Sequence, residues 1–377
     1  MSESVIQRAP APGRAPAINT GNLVAFALPA RPGEAIPALC RRFAARLEER
    51  AATPLHVQVF GRCSARSALT ESVRGLLGPV DWPLTWVEGA ACDRQPVAGL
   101  QVHAFTGQVE RVVCDGRTVG SVFSDGGARQ CVVGGLQPAA AGRTRADQTA
   151  RALEQLQAVL ATAGFELAEV VRTWFFLENI LSWYPEFNRV RTSVYAGVKF
   201  RNHSLPASTG VGARNPAGAA LALAAWAFRP HGREAYAEEV ASPLQCPAPA
   251  YGSSFSRALE TSTSAGRRLF ISGTASIAPG GATEWVGDIR QQVALTMEVV
   301  ESILNARGFA WADLACATAY FRHSADAGAF AEWLAAKRLT HLPVLAAQCD
   351  VCRDDLLFEL EAEALAASPS PKPTLAR

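Results

Sequence analysis

The sequence predicts an α+β protein made of tandem copies of one unit, each with helices on one face of a mostly antiparallel or mixed sheet. Three observations carry this prediction. Two long segments repeat the same order of elements, with Gly164-Phe165 recurring as Gly308-Phe309. Within both, runs with helical apolar spacing alternate with short strand-like runs. A region ahead of them, residues 21–108, gives the same order in degraded form.

The elements follow in chain order. In the first region residues 35–50 read as a helix and 55–61 as a strand. Residues 64–78 read as a second helix, with closing strands at 84–90 and 99–107. The second copy opens on "CVVGG", a short apolar strand ending in glycine. Its long helix places Leu153, Leu156, Val159 and Leu160 on one stripe. "VVRTWFFLEN" is a strand, a second helix follows, and "ASTGVGAR" and "ALALAAWAF" close the unit. The third copy repeats this with "LFISG", the stripe Met297, Val300, Ile303 and Leu304, then "ACATAYFRHS", a helix, "VLAAQCDV" and "LLFELEAEAL". The expected organisation is a flexible arm (1–20), three units (21–108, 109–240 and 241–366) and a flexible tail (367–377), with each unit inside the usual size range of a domain.

Composition bounds the function. The 377 residues are 49% hydrophobic, enough for a large core, and Lys+Arg (36) nearly balance Asp+Glu (34) for a net charge of +2. That balance argues against a nucleic-acid or membrane-surface partner, which needs a basic excess on one face. No run is long and apolar enough to span a bilayer, and the first twenty residues lack the apolar centre of a signal peptide, so a cytoplasmic protein is expected. The nine cysteines are then expected as free thiols. Cys349 and Cys352 form a C-x-x-C, but no second pair completes a zinc site and the motif ends a strand rather than opening a helix.

The chemistry-bearing stretch is "CDVCRDDLLFELEAEALAA". Over residues 356–364 it alternates: Phe358, Leu360, Ala362 and Ala364 on one face, Leu357, Glu359, Glu361 and Glu363 on the other. With helices covering the apolar face, the glutamates are expected to point into a cleft between units.

These motifs resemble the YjgF, or imine deaminase, family, whose members carry motifs like "PYSQA", "SGQ", "PARS" and "EIEA". The third copy has "SFSRA" (254–258), "ISGTA" (271–275) and "FELEAEA" (358–364), and the second has "ADQTARAL" and "LPAST". Members are homotrimers, so the resemblance implies a trimer fused into a single-chain pseudo-trimer. Ser208 stands where the deaminase arginine would be, and only the third copy keeps the glutamate, which implies one working site per chain. A long chain with "YGSSFSRA", "LFISGTASI", "PASTGVGARN" and a cysteine seven residues before the glutamate is similar to the chorismatases.

That resemblance implies cleavage of chorismate to pyruvate and 3-hydroxybenzoate, with some 4-hydroxybenzoate, and without metal or organic cofactor. Glu359 is the expected acid and Cys352 the residue that steers toward the aromatic product. Arg214, Arg201, Tyr195, Arg257, Phe255 and Gly273 are the expected substrate-binding residues. A monomer suffices for a site on this view. The alternatives are the hydrolytic branch, which gives a cyclohexadiene diol, an imine deaminase and a non-catalytic ligand-binding protein.

Overall fold

The computed structural model describes residues 18–367 apart from residue 233. The expected arm and tail fall outside these residues, except that Ala367 is described and Ile18–Thr20 pair with the following strand. The first unit contains β1 (Ile18–Thr20), β2 (Leu23–Pro29), α1 (Ile36–Glu48), β3 (Thr53–Gly61), α2 (Arg66–Leu77), β4 (Leu84–Val87), β5 (Ala90–Ala91) and β6 (Val97–Phe105). The second has β7 (Glu110–Cys114), β8 (Arg117–Asp125), β9 (Ala128–Leu136), α3 (Arg145–Thr162), β10 (Val170–Leu177), α4 (Tyr184–Ala196), β11 (Ala207–Gly212) and β12 (Leu221–Pro230). The third has β13 (Tyr236–Val240), β14 (Ala258–Thr263), β15 (Gly266–Ala275), α5 (Ile289–Ala306), β16 (Leu314–Phe321), α6 (Ala327–Ala336), β17 (Val344–Gln348) and β18 (Phe358–Ala366).

The strand orders are one pattern repeated. The second sheet runs β7-β8-β9-β12-β10-β11 and the third β13-β14-β15-β18-β16-β17. The first, β1-β2-β6-β3-β4, is the same order without the outermost strand. In each, among the described residues, the one parallel strand pair is that bridged by the second helix, β3/β4, β10/β11 and β16/β17, because parallel neighbours need a crossover. Two strands cross the expected boundaries. β5 pairs with β17 at the edge of the third sheet, and β13 pairs with β14.

Each long helix buries one stripe. On α3 it is Leu153, Leu156, Val159 and Leu160, behind a Thr144–Asp147 capping box that satisfies free backbone donors at the helix start. On α5 the stripe includes Met297, Val300, Ile303 and Leu304, behind the Asp288 cap. Each unit therefore has a core between its helices and sheet. A further apolar cluster lies between the sheets, joining Leu23 and Phe60, Trp174 and Trp226, and Phe270 and Tyr320 from the three units. No helix among the described residues is long and apolar enough to cross a membrane.

Candidate active site

Strand β18 places the site. Phe358, Leu360, Ala362 and Ala364 pack into the core of the third unit. Glu359, Glu361 and Glu363 turn the other way and are only 4%, 1% and 2% exposed. A buried carboxylate must be paired or neutral, and the three solve this differently.

Glu363 accepts a hydrogen bond from His103 Nε2 at 2.9 Å and lies 2.6 Å from Arg268. Burial alone would raise its pKa, but Arg268 and His103 more than offset that and hold it at about 2. Cys316 completes a group of three potential metal donors here. The Arg268 guanidinium already supplies the cation, so the cluster is an ion pair rather than a metal site. Glu361 accepts from Arg172 Nη2 at 2.7 Å and from the Tyr320 hydroxyl at 2.9 Å. Glu359 lines a cavity of about 520 Å³ between the second and third units. Burial, reinforced by the Glu361 charge, pushes its pKa up to about 8 against the pull of Arg172 and Arg257. It is an acid that still holds its proton at neutral pH.

The register explains why one such site exists. Tyr320 pairs with Glu359, Phe176 with Ala222 and Phe60 with Gly99. The Phe60 ring lies 6.1 Å from Phe176 and 6.0 Å from Tyr320, so the three aromatics occupy one layer where the units meet. The positions equivalent to Glu359 are thus an alanine and a glycine.

Gly273 forms the floor beneath the acid. A Cβ there would lie 1.9 Å from Glu359 Oε1, so only glycine admits this placement of the carboxyl. The Gly273 N–H donates to Thr209 Oγ1 of the second unit at 3.1 Å, and the Ser208 N–H donates to Ser272 Oγ at 2.8 Å. These bonds tie β11 to β15 across the two units.

Two buried guanidiniums flank Phe255, Arg191 at 5.9 Å and Arg257 at 5.7 Å from the ring centre. Arg257 donates Nε to the Cys246 carbonyl at 3.0 Å and leaves Nη2 unpartnered. Arg191 donates to Asn188 Oδ1 at 2.7 Å and weakly to Ser208 Oγ at 3.4 Å, and its Nε is unpartnered. Neither pairs with a carboxylate among the described residues. Buried cations with free donors on a cavity wall suit an anionic ligand. Cys352 lines the same cavity, and burial, then the nearby Glu359, pushes its thiol up to about 12. It is a neutral thiol there. Burial likewise raises Tyr251, to about 12, and Tyr184 further.

Of the residues the sequence singled out, the cavity brings together Glu359, Cys352, Arg257, Phe255 and Gly273. It does not include the other three. Arg214 is 71% exposed, in a separate depression, where Glu88 and Glu178 hold it at 3.5 and 3.4 Å. Arg201 is 53% exposed and reaches Glu166 and Glu169. Tyr195 is buried in the core of the second unit with its ring 5.3 Å from Phe200, because α4 turns it toward its own sheet. Sequence reasoning missed Arg191, Tyr184, Tyr251 and Arg353 on the cavity wall. Arg191 carried a signal, since Phe187, Arg191 and Tyr195 are the buried stripe of α4. A charge on such a stripe needs a use.

Comparison with known proteins agrees with this architecture. The family model described as Endoribonuclease L-PSP, the YjgF group, matches residues 132–221, inside the second unit. The chain is 28% identical over 250 residues to the 3-hydroxybenzoate synthase of Streptomyces hygroscopicus, covering 58% of this chain and 71% of that one. A crystal structure of a chorismatase superposes with a TM-score of 0.67 at 21% identity, over 92% of this chain and all of the other. By sequence the chain is similar to a 3-hydroxybenzoate synthase, and its fold is similar to that of a chorismatase, with repeated units of which the second matches the YjgF group.

Proposed function

We propose that this protein is a chorismatase that converts chorismate to 3-hydroxybenzoate and pyruvate, with Glu359 as the acid. The observation that carries the proposal is the pairing of a protonated, cavity-facing carboxyl with two buried arginines that lack a carboxylate partner among the described residues. Chorismate is a small dianion with an enol ether. Arg191 and Arg257 take carboxylates, and a charge-assisted bond to each is worth about 1.5–3 kcal/mol. Glu359 donates its proton to the terminal methylene of the enolpyruvyl group, which gives an oxocarbenium ion. The neighbouring ring hydroxyl oxygen then forms a bond to the ring carbon that bears the side chain. The carbon–oxygen bond to the side chain breaks toward oxygen, releasing pyruvate as the ketone. The hydroxyl proton passes to the Glu359 carboxylate, and the resulting epoxide opens to the phenol. The two products together have the atoms of chorismate, so no water, oxidant or cofactor enters.

Cys352 is the wall residue assigned to product choice. As a neutral thiol it fills space beside the acid and restricts water, whose attack on the cation would give the diol instead. The imine deaminase alternative loses support at Ser208, where the arginine of that family is missing, although Arg191 reaches the same hydroxyl from α4.

Incubating the protein with chorismate and separating the products by chromatography tests the proposal. Pyruvate with 3-hydroxybenzoate is expected. Pyruvate with a non-aromatic diol assigns the chain to the hydrolytic branch, and absence of pyruvate removes chorismate as the substrate. Cys352→Ala is expected to change the ratio of phenol to diol more than the total rate; an unchanged ratio removes its steering role.

A further inference from the structure

Glu361 lies two residues along β18 from Glu359, on the same face. Both of its carboxylate oxygens are engaged, one by Arg172 and one by the Tyr320 hydroxyl. Tyr320 is also the register partner of Glu359. The same Arg172 Nη2 donates to Thr209 Oγ1 at 2.6 Å, and Thr209 Oγ1 in turn accepts from the Gly273 N–H beneath the Glu359 carboxyl. One guanidinium therefore ties the second carboxylate to the floor under the first. The second acid occurs only where the first does: the register places Ala224 and Gln101 at the positions equivalent to Glu361.

We infer that Glu361, held in place by Arg172 and Tyr320, is a positioning residue whose charge raises the pH at which Glu359 releases its proton. This rests on the acid role proposed for Glu359. Burial is the larger cause, and the charged groups facing Glu359 leave Glu361 as the one that adds to it. From β16 comes Tyr320, from α4 Tyr184, from the segment before β14 Tyr251, and from the segment around the C-x-x-C Cys349 and Cys352. Burial raises all five, so they are neutral near pH 7. Arg172 on β10, and Arg257, Arg189, Arg191 and Arg353 on or near the wall, are cations that favour the ionised form. Among the described groups facing Glu359, Glu361 is the anion that opposes it. A merely structural Glu361 would hold Arg172 in place and leave the titration of its neighbour alone.

The test is Glu361→Gln in the full chain, read in two ways. The first needs no substrate: the carbonyl band of the Glu359 carboxyl is followed by infrared spectroscopy from pH 5 to 10 on protein labelled in its glutamate carboxyls, with the Glu359→Gln spectrum subtracted. The second is the pH profile of pyruvate release from chorismate. The expected result is a titration midpoint lower by at least about one pH unit, a tenfold loss of the protonated acid above the midpoint. Turnover near pH 5.5 is expected to stay within about threefold of wild type, and the alkaline limb to move down with the midpoint. The double variant Glu361→Gln with Arg172→Met removes both charges, and its midpoint is expected between those of wild type and the single variant. A folded Glu361→Gln protein with an unmoved midpoint overturns the inference. So does a double variant displaced as far as the single one. If the single variant fails to fold, the double variant decides alone, because removing a buried pair together is tolerated better than breaking it. A midpoint below wild type then supports the inference, and one at or above it overturns it. Should wild type release no pyruvate, the proposed function fails while the infrared comparison still tests the coupling.

Discussion

At the scale of single residues, protonation decides what each group can do. Glu359 has a folded-state pKa of about 8 against an ordinary value of 4.5, so the folded chain binds a proton that the unfolded chain releases. That costs stability as pH rises from about 4.5, and the cost is complete above about 8. Glu359→Gln is therefore expected to melt higher than wild type at pH 9 and about equally at pH 4, while turnover falls by about 10²–10⁴-fold. Equal melting temperatures at both pH values would show that the carboxyl is not held neutral. The arginines make a second contrast. Arg191→Met and Arg257→Met are each expected to raise KM by about tenfold or more, the worth of a charge-assisted bond. Arg201→Ala and Arg214→Ala, whose carboxylate partners lie outside the cavity, should leave it unchanged; steady-state kinetics on the four variants decides. The sequence singled out Arg201, Arg214 and Arg257 as arginines near motifs and missed Arg191, because it does not show which side chains turn inward. Arg214 was expected to bind substrate, yet its place just past β11 delivers it to Glu88 and Glu178.

At the scale of elements, the strands that carry a clean pattern were legible and the others were not. β18 showed its two faces in the alternation of Phe358, Leu360 and Ala362 with the glutamates, and α3 and α5 showed their stripes. The outer hairpins were illegible. β14 reads "ALETST" yet is buried throughout, because Glu260 is neutralised by Arg267 and Arg307, a partnership that no local pattern reveals. The span 84–90 read as one strand, but it divides into β4 and β5, and β5 joins another unit's sheet. Gly273, inside β15, was legible as part of a motif, and its physical reason came only with the geometry. Gly273→Ala puts a methyl where Glu359 Oε1 lies. The variant is expected to fold, since the methyl points into the cavity, and to lose at least about tenfold in turnover as the acid is displaced. Retained turnover in a folded variant would mean that the acid acts from another rotamer.

At the scale of the whole molecule, the units are held by charge as well as by apolar packing. Glu363 belongs to the third unit and His103 to the first, and Arg268, which completes the ion pair, lies 3.7 Å over the ring of Trp226 from the second. The order of elements forecast three repeats, and the alternation forecast an inward glutamate face. Neither could name these partners, because His103 and Glu363 are far apart in the chain and meet only when the sheets close together. The pair has a measurable signature. Glu363 titrates at about 2 in the fold against 4.5 ordinarily, so its contribution is fully present above about pH 4.5 and is lost as pH falls toward 2. The shift corresponds to about 3 kcal/mol. In Glu363→Gln the cation of Arg268 stays buried without its partner, an expected loss of about 3–5 kcal/mol at pH 7. Because the residues span all three units, the loss is expected in a single cooperative transition rather than in a separate early one. Urea unfolding from pH 7 down to pH 2 should therefore give two curves that lie apart at neutral pH and converge in acid. Curves that stay parallel across that range would mean that the carboxylate of Glu363 does not hold the three sheets together.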